Sequence, residues 1–560
     1  WKKINSDFSN TVRPFYFSRL TVDPRNPDNI LKCAFVPIIS TDGGIKFRSM
    51  GSPHADVHAG WIDPRNSNHI LLGTDGGVYE SFDQGYTFRM WDNLAVGQFY
   101  HVTVDNEKPF NVYGGLQDNG SWFGPSRAAG AVTNADWKLV YYGDGFYTHR
   151  HPVDKDIVYA EYQGGEMSRV NLKTGQAKGI KPFPGKGEPE LRFNWNTPLV
   201  QSPNNPNRIY AGAQYLFMSD DRGDTWKKIS PDLTTNDPKR QRQKQTGGLS
   251  IDNSSAENNT TIYTVAESPI DEKLIWVGTD DGLVQVTANQ GSTWTNVSKN
   301  ISGLPAGNWV SYVEPSRHNK STAYVTFDNH RNGDMATYIF KTSDLGATWT
   351  SLSTPDLEGH AYVIREDIVN PNLLFVGTEF GLYISIDGGK KWSRFENNLP
   401  KVAVHDMVIH PTESSLVLAT HGRGIYIIDD ITPLRQITPE LLSKPFVFLE
   451  TKPTILSETG GSGRNPSPGD DVYYAENPNP LPQLVYYMNK RHTFGKMAVE
   501  VYDLDGSLIK EIPAGKSAGV NFVDLILTKD RPRIPPSDTR EAVGGALFGP
   551  SLEAGTYKVK

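Results

Sequence analysis

The stretch Ser219-Asp220-Asp221-Arg222-Gly223-Asp224-Thr225-Trp226 decides the reading of this chain, because its pattern, Ser/Thr-x-Asp-x-Gly-x-x-aromatic, recurs. It returns as Ser40 to Phe47, Ser81 to Phe88, Thr287 to Trp294 (with Asn289 in the Asp place), Thr342 to Trp349 and Ser385 to Trp392. Each part has a physical task. The short Asp or Asn side chain accepts from backbone N–H groups ahead of it in a tight turn, and Gly takes the positive φ that a Cβ penalises. The unit therefore joins two strands, and its aromatic leaves at the start of the outgoing strand, where a large ring can wedge between one sheet and the next.

A second element precedes the unit. It is a Pro-containing turn such as Asp23-Pro24-Arg25-Asn26-Pro27, Asp63-Pro64-Arg65-Asn66 or Asn370-Pro371-Asn372, followed by an apolar run and a Gly turn such as Ile70 to Gly77 or Leu374 to Gly381. The order strand A, Pro turn, strand B, Gly turn, strand C, Asp turn, strand D is one four-stranded blade.

The Asp turn resembles the Asp box, or bacterial neuraminidase (BNR) repeat, of sialidases, tandem-propeller xyloglucan hydrolases and the sortilin ectodomain. The resemblance covers residues 1 to about 436 and implies an all-β chain built as a β-propeller. It does not imply a reaction, since one fold hosts many functions. Boxless blades are expected around residues 105–123, 151–175 and 416–426. Residues 89–436 alone hold about seven blades, so a complete seven-bladed propeller there is preferred, with residues 1–88 as the last blades of a preceding, truncated one. The alternative is most of a single ten-bladed ring. Trp1-Lys2-Lys3-Ile4 reads like Trp226-Lys227-Lys228-Ile229, so the chain is expected to start inside a repeat.

The pattern changes after Pro445. Residues 457–482 read as a Gly, Pro, Ser and Asn-rich linker, and Met497 to Leu504, Asp505-Gly506 and Ser507 to Ile509 read as strand, tight turn and strand. With Gly519 to Leu525 and Glu553 to Val559, residues 445–560 resemble the Ig-like β-sandwich modules that end many secreted bacterial proteins. The last strand is expected to run on past Lys560.

Composition narrows the function. A net charge of −7 and a pI near 6.0 lack the basic footprint of a nucleic-acid binder; the cluster Lys239, Arg240, Arg242, Lys244 reads as a solvated loop. Cys33 is the one cysteine, so no intrachain disulfide forms, unlike the disulfide-rich sortilin ectodomain. No run is long enough to span a bilayer.

In blades of this topology the B–C turns and D–A connections ring one mouth of the central channel, the usual place for function. Gln117, Asn119, Trp122, Gln163, Trp195, Trp309, His421 and Arg423 fall there, amides and aromatics of the kind that a sugar's hydroxyls and apolar face require. His54-x-Asp56-x-His58 has period-two spacing that turns two imidazoles and a carboxylate to one side, a ligand set for Zn²⁺ or another transition metal against the plainer reading of groups satisfying nearby backbone. Asp118 and Asp144, with Asp75 and Asp280, are the carboxylates from which a glycosidase pair would be drawn, spaced about 6.5–9.5 Å if inverting. No three-arginine clamp for a sialidase is evident. With Gly114 to Ser126, Phe193 to Pro198 and Ser230 to Thr234, the chain resembles large secreted bacterial proteins of sortilin-like or glycosyl-hydrolase-like type. Two functions follow: an extracellular or cell-surface binding or scaffold module for glycan or protein, which is preferred, and a glycoside hydrolase acting on an extracellular polysaccharide. No cofactor is required by either.

Overall fold

The computed structural model describes residues 1–10, 18–242, 256, 258–454, 472–529 and 550–560; Lys244 and residues 457–471 of the expected linker lie outside them. The described chain is nearly all β. Antiparallel sheets follow one another as blade 1 (residues 20–49), blade 2 (57–90), blade 3 (99–141), blade 4 (145–179), blade 5 (199–228), blade 6 (262–296), blade 7 (309–351), blade 8 (361–394) and blade 9 (404–428). Each has four strands except blade 9, which has three.

Consecutive blades meet chiefly through their first strands, which places strand A innermost. Blade 9 also meets blade 3. Val417 and Ala419 share a core with Phe99, Val102, Phe110 and Val112, His410 Nε2 donates to the Asp105 carbonyl at 2.8 Å, and Gln98 pairs with His421. Blades 3 to 9 thus close on themselves as a seven-bladed β-propeller, with blades 1 and 2 packed on each other beside it through Leu31, Met50, Val57 and Leu72.

The recurring turn has one geometry in every copy. In blade 5, Ser219 Oγ donates to Asp221 Oδ1 at 2.7 Å and accepts from Gly223 N–H at 2.8 Å, while Asp221 Oδ1 accepts from Thr225 N–H at 2.8 Å. Blade 8 repeats this through Ser385, Asp387, Gly389 and Lys391. Two successive residues turn left-handed, Arg222 (φ 64°) and Gly223 (φ 86°) in blade 5, so the residue before Gly carries strain that the sequence reading did not anticipate.

Gly is also required by what lies behind it. A Cβ on Gly223 would meet Ile180 at 2.8 Å, on Gly291 the Ile229 carbonyl at 2.2 Å, on Gly346 Val297 at 2.8 Å and on Gly389 Leu352 at 2.9 Å. Each of these four residues immediately follows strand D of the preceding blade. The indole N–H of Trp226, Trp294 and Trp392 donates to the carbonyls of Ile180, Ile229 and Leu352, at 2.6, 3.0 and 3.0 Å. Trp392 is buried and the others partly so. Trp349 differs: its N–H returns to Gly346 O, and its ring meets Trp276 edge-on.

Past the helices Thr432–Gln436 and Pro439–Leu442, two three-stranded antiparallel sheets share a core of Tyr486, Met488, Val499 and Val523. One contains the hairpin Ala498–Tyr502 and Leu508–Pro513 around Gly506 (φ 89°). Lys452 Nζ ties this part to the propeller at the Asp429 carbonyl, 2.6 Å away.

Trp392→Ala is expected to destabilise the chain by roughly 3–5 kcal/mol, the cost of an emptied aromatic site, and Ser385→Ala by about 1–3 kcal/mol through the Gly389 N–H it strands. Denaturant melts check the order of the two.

Candidate functional site

The innermost strands share an irregularity that builds the mouth. Pairing of strand A with strand B skips one residue near its start in six blades: His58 in blade 2, Tyr100 in blade 3, Tyr263 in blade 6, Ser311 in blade 7, Tyr362 in blade 8 and His405 in blade 9. Blade 4 skips Phe146 and Tyr147. A bulge re-aims a side chain out of the sheet. In the ring these side chains meet: Tyr362 and His405 have centroids 4.1 Å apart and Tyr100 and Phe146 4.3 Å, and His405 also meets His421 of the blade 9 B–C turn at 4.3 Å. Sequence reasoning missed Tyr263 and Tyr362. The signal was the recurrence of Tyr or His one residue into strand A, as in Phe99-Tyr100, Ile262-Tyr263, Ala361-Tyr362 and Val404-His405.

At one corner of the mouth the B–C turn of blade 3 touches blades 2 and 4. Asp118, in left-handed backbone (φ 60°), donates its N–H to Asp144 Oδ1 at 2.6 Å. Asp144 N–H donates to Gln163 Oε1 at 2.8 Å. Gln117 Oε1 accepts from Gln98 Nε2 at 2.6 Å and from the Tyr100 hydroxyl. Asn119 Nδ2 donates both to Gln117 O, at 2.8 Å, and across to Asp75 O in blade 2, at 3.0 Å. The Trp122 indole N–H closes the turn on Asn119 O.

Blade 2 supplies the facing wall. Carboxylate oxygens of Asp56, Asp75 and Asp118 lie within 4.8 Å of one another, and His58 Nε2 is 2.7 Å from Asp75 Oδ1. Burial, then the Asp118 charge, raises Asp75 above the usual carboxylate range, with His58 opposing. Asp144 is buried deeper. Desolvation first and the Asp118 charge second push it up to about 7, so it holds a proton near neutrality that an exposed carboxyl would release. The Tyr100 hydroxyl is likewise raised, by burial and then by Asp144.

The other expected residues divide. Trp195 stands near this corner, edge-on to Phe146 at 6.4 Å. Trp309 lies apart, under the Arg331 guanidinium at 4.1 Å, in a shallow recess of about 320 Å³ shared with Arg240, Asn258 and Asn332. His421 joins His405 and Tyr100, and Arg423 is exposed in the same turn of blade 9. The set His54, Asp56, His58 is not gathered as a ligand triad. His54 Nδ1 turns to the Ala55 carbonyl at 3.0 Å and its ring covers Gly76, while Asp56 groups with Asp75 and Asp118, and His58 pairs with Asp75. Asp280 is fully buried, takes hydrogen bonds from Thr261 and Asn194 and is pushed up to about 7 by burial. It braces the fold. Asp118 and Asp144 stand side by side rather than across a gap, and the carboxylate facing them from another blade is Asp75.

Comparison with known proteins gives distant likenesses. No family model matches the chain. It is 23% identical over 365 residues to a xyloglucanase of a Paenibacillus species, covering 59% of this chain and 32% of that protein. It is 23% identical over 286 residues to an oligoxyloglucan-reducing end-specific xyloglucanase of Emericella nidulans, covering 49% and 27%. The chain thus spans about a third or less of the curated relatives it matches. Among solved structures, the GH74 enzyme of Niastella koreensis aligns over 74% of this chain and 77% of its own at 16% identity, with a TM-score of 0.26. No helix among the described residues is long and apolar enough to cross a membrane.

The raised Asp144 has a measurable sign. Between the pKa of an unfolded Asp, near 3.9, and about 7, the folded chain holds one proton more than the unfolded chain. Stability therefore falls as pH rises through that window. Asp144→Asn, which mimics the protonated acid, is expected to flatten this fall in melts taken from pH 4 to pH 8.

Proposed function

We propose that the chain is part of an extracellular glycoside hydrolase acting on a β-glucan of the xyloglucan type, with its reacting groups in the corner between blades 2, 3 and 4. One observation carries the reading: a carboxyl held protonated near neutral pH, Asp144, sits beside Asp118 and faces a carboxylate from another blade, Asp75. Acid-assisted cleavage of a glycosidic bond needs this asymmetry, one carboxyl that can give a proton and another that is ionised. Asp144 shares its proton with Asp118, the more accessible of the two, and Asp118 delivers it to the leaving oxygen. Asp75, oriented by His58, stabilises the developing positive charge of the sugar. Its approach to Asp118 within 4.8 Å is shorter than the roughly 6.5–9.5 Å that leaves room for a water in inverting enzymes, so Asp75 acts on the sugar directly.

The distant likeness to two xyloglucan-acting proteins supports this substrate class over the scaffold reading. Within the same reading, the six turns are Asp boxes, residues 1–88 close a first propeller and residues 89–436 form a second, the C-terminal sheets are an Ig-like module, and the protein is secreted. A second reading, glycan binding without cleavage, draws on the partly exposed Trp122, Trp195 and Trp309 around the mouth.

Reducing-end release from xyloglucan and mixed-linkage glucan separates the two. Asp118→Asn and Asp75→Asn are expected to lower kcat by about 10²–10⁴-fold, the scale of a lost acid or base, with retention on the polymer in affinity electrophoresis unchanged. Trp122→Ala is expected to weaken retention instead. Retention by a wild type that shortens no polymer would leave the binding module; neither retention nor cleavage would reject both.

A further inference from the structure

Farther round the mouth, blades 7 and 8 bring together a second group of titratable side chains that takes no part in the carboxylate corner. His360, just before the first strand of blade 8, is 2% exposed, and neither of its ring nitrogens has a hydrogen-bond partner. At least one of those nitrogens is a lone pair or an N–H taken out of water, and buried polar atoms left in that state cost about 1–3 kcal/mol. What surrounds it is not apolar. Glu379 Oε2 lies 3.7 Å and Asp328 Oδ1 3.9 Å from His360 Nε2, both beyond hydrogen-bond reach and both on the same nitrogen.

A second imidazole completes the group. One ligand atom from each of Asp328, His330 and His360 lies within 4.8 Å of the others, and the His330 and His360 rings stack at 4.6 Å. His330 Nδ1 donates to both Asp328 oxygens, at 2.6 and 2.8 Å, which leaves Nε2 as the lone pair. Glu379 is held in turn: the Tyr362 hydroxyl donates to its Oε2 at 2.7 Å and its own N–H donates to the His360 carbonyl at 3.2 Å. Outer partners that orient imidazole and carboxylate in this way are what metal ligands have.

We propose that Asp328, His330, His360 and Glu379 form a binding site for one divalent transition cation, Zn²⁺ by preference. Zn–N and Zn–O bonds of about 2.0–2.2 Å in tetrahedral arrangement separate neighbouring ligand atoms by roughly 3.3–3.6 Å, so the gaps around His360 Nε2 need close by only a few tenths of an ångström. Two imidazoles with two carboxylates favour Zn²⁺ over Ca²⁺ or Mg²⁺, which take oxygen ligands. The ion joins the B–C turn of blade 7 to blade 8 at the mouth.

The test uses the untagged chain, freed of metal by a chelator and titrated calorimetrically with ZnCl2 and with CaCl2. One equivalent of Zn²⁺ is expected to bind and CaCl2 to give no saturable heat. His360→Gln and Glu379→Gln are each expected to weaken Zn²⁺ binding at least tenfold, the lower end of what even outer-shell partners contribute. Glu379, partly exposed, serves if His360→Gln does not fold. Co²⁺ in place of Zn²⁺ is expected to show visible bands that His360→Gln abolishes. No saturable Zn²⁺ binding, or binding that both variants leave unchanged, overturns the site, and either result is read without reference to hydrolysis.

Discussion

The ring depends on a close contact between a turn glycine and the blade before it. Gly223, Gly291, Gly346 and Gly389 each bring backbone within van der Waals reach of the residue that follows the last strand of the preceding sheet, Ile180, Ile229, Val297 and Leu352. At three of these contacts the following tryptophan bonds the carbonyl of the same residue. One apolar side chain is thus pressed by glycine backbone while its carbonyl is satisfied by an indole, so hydrophobic burial and polar satisfaction are met at the same point. The Ser and Asp of the turn hold the left-handed backbone that makes this approach available.

At the opposite end of each blade a different constraint operates. Strand A is innermost, so its side chains have the least room, and the skipped residue near its start is relieved of pairing and turned to the mouth. The same backbone device therefore presents Tyr100, Tyr263, Tyr362 and His405 in blades 3, 6, 8 and 9. Variation in one residue type at one recurrent position changes the chemistry of the mouth without changing the fold.

This division explains what was legible in the chain. The blades were readable because glycine, proline and strand periodicity are local signals, and Gln117, Asp118, Asn119 and Trp122 share a turn by adjacency alone. The proximity of Asp118 to Asp144 and of Asp75 to both was not readable, since it arises from three blades whose relative rotation no local pattern encodes. The period-two spacing of His54, Asp56 and His58 failed as a guide for a related reason. Asp56 is in left-handed backbone (φ 60°) and His58 is a bulge residue, so the extended geometry that would align the three side chains is absent. His360 falls on a D–A connection, so its place at the mouth was readable, but its unsatisfied imidazole is a property of its surroundings and was not.

The contacts made by glycine and tryptophan point one way round the ring, each blade gripping its predecessor. They serve blades 5 to 8, whereas blade 9 meets blade 3 through an apolar core and the bond from His410 to Asp105. A duplicated boxed blade carries its own fastening and can be inserted beside another boxed blade with little else altered. The boxless arc has no such interchangeable joint. Blades 9, 3 and 4 are matched to one another individually, and they are the blades that bear His421, Asp118 and Asp144. Growth and loss of repeats can thus proceed on one side of the ring while the boxless side diverges at its own pace.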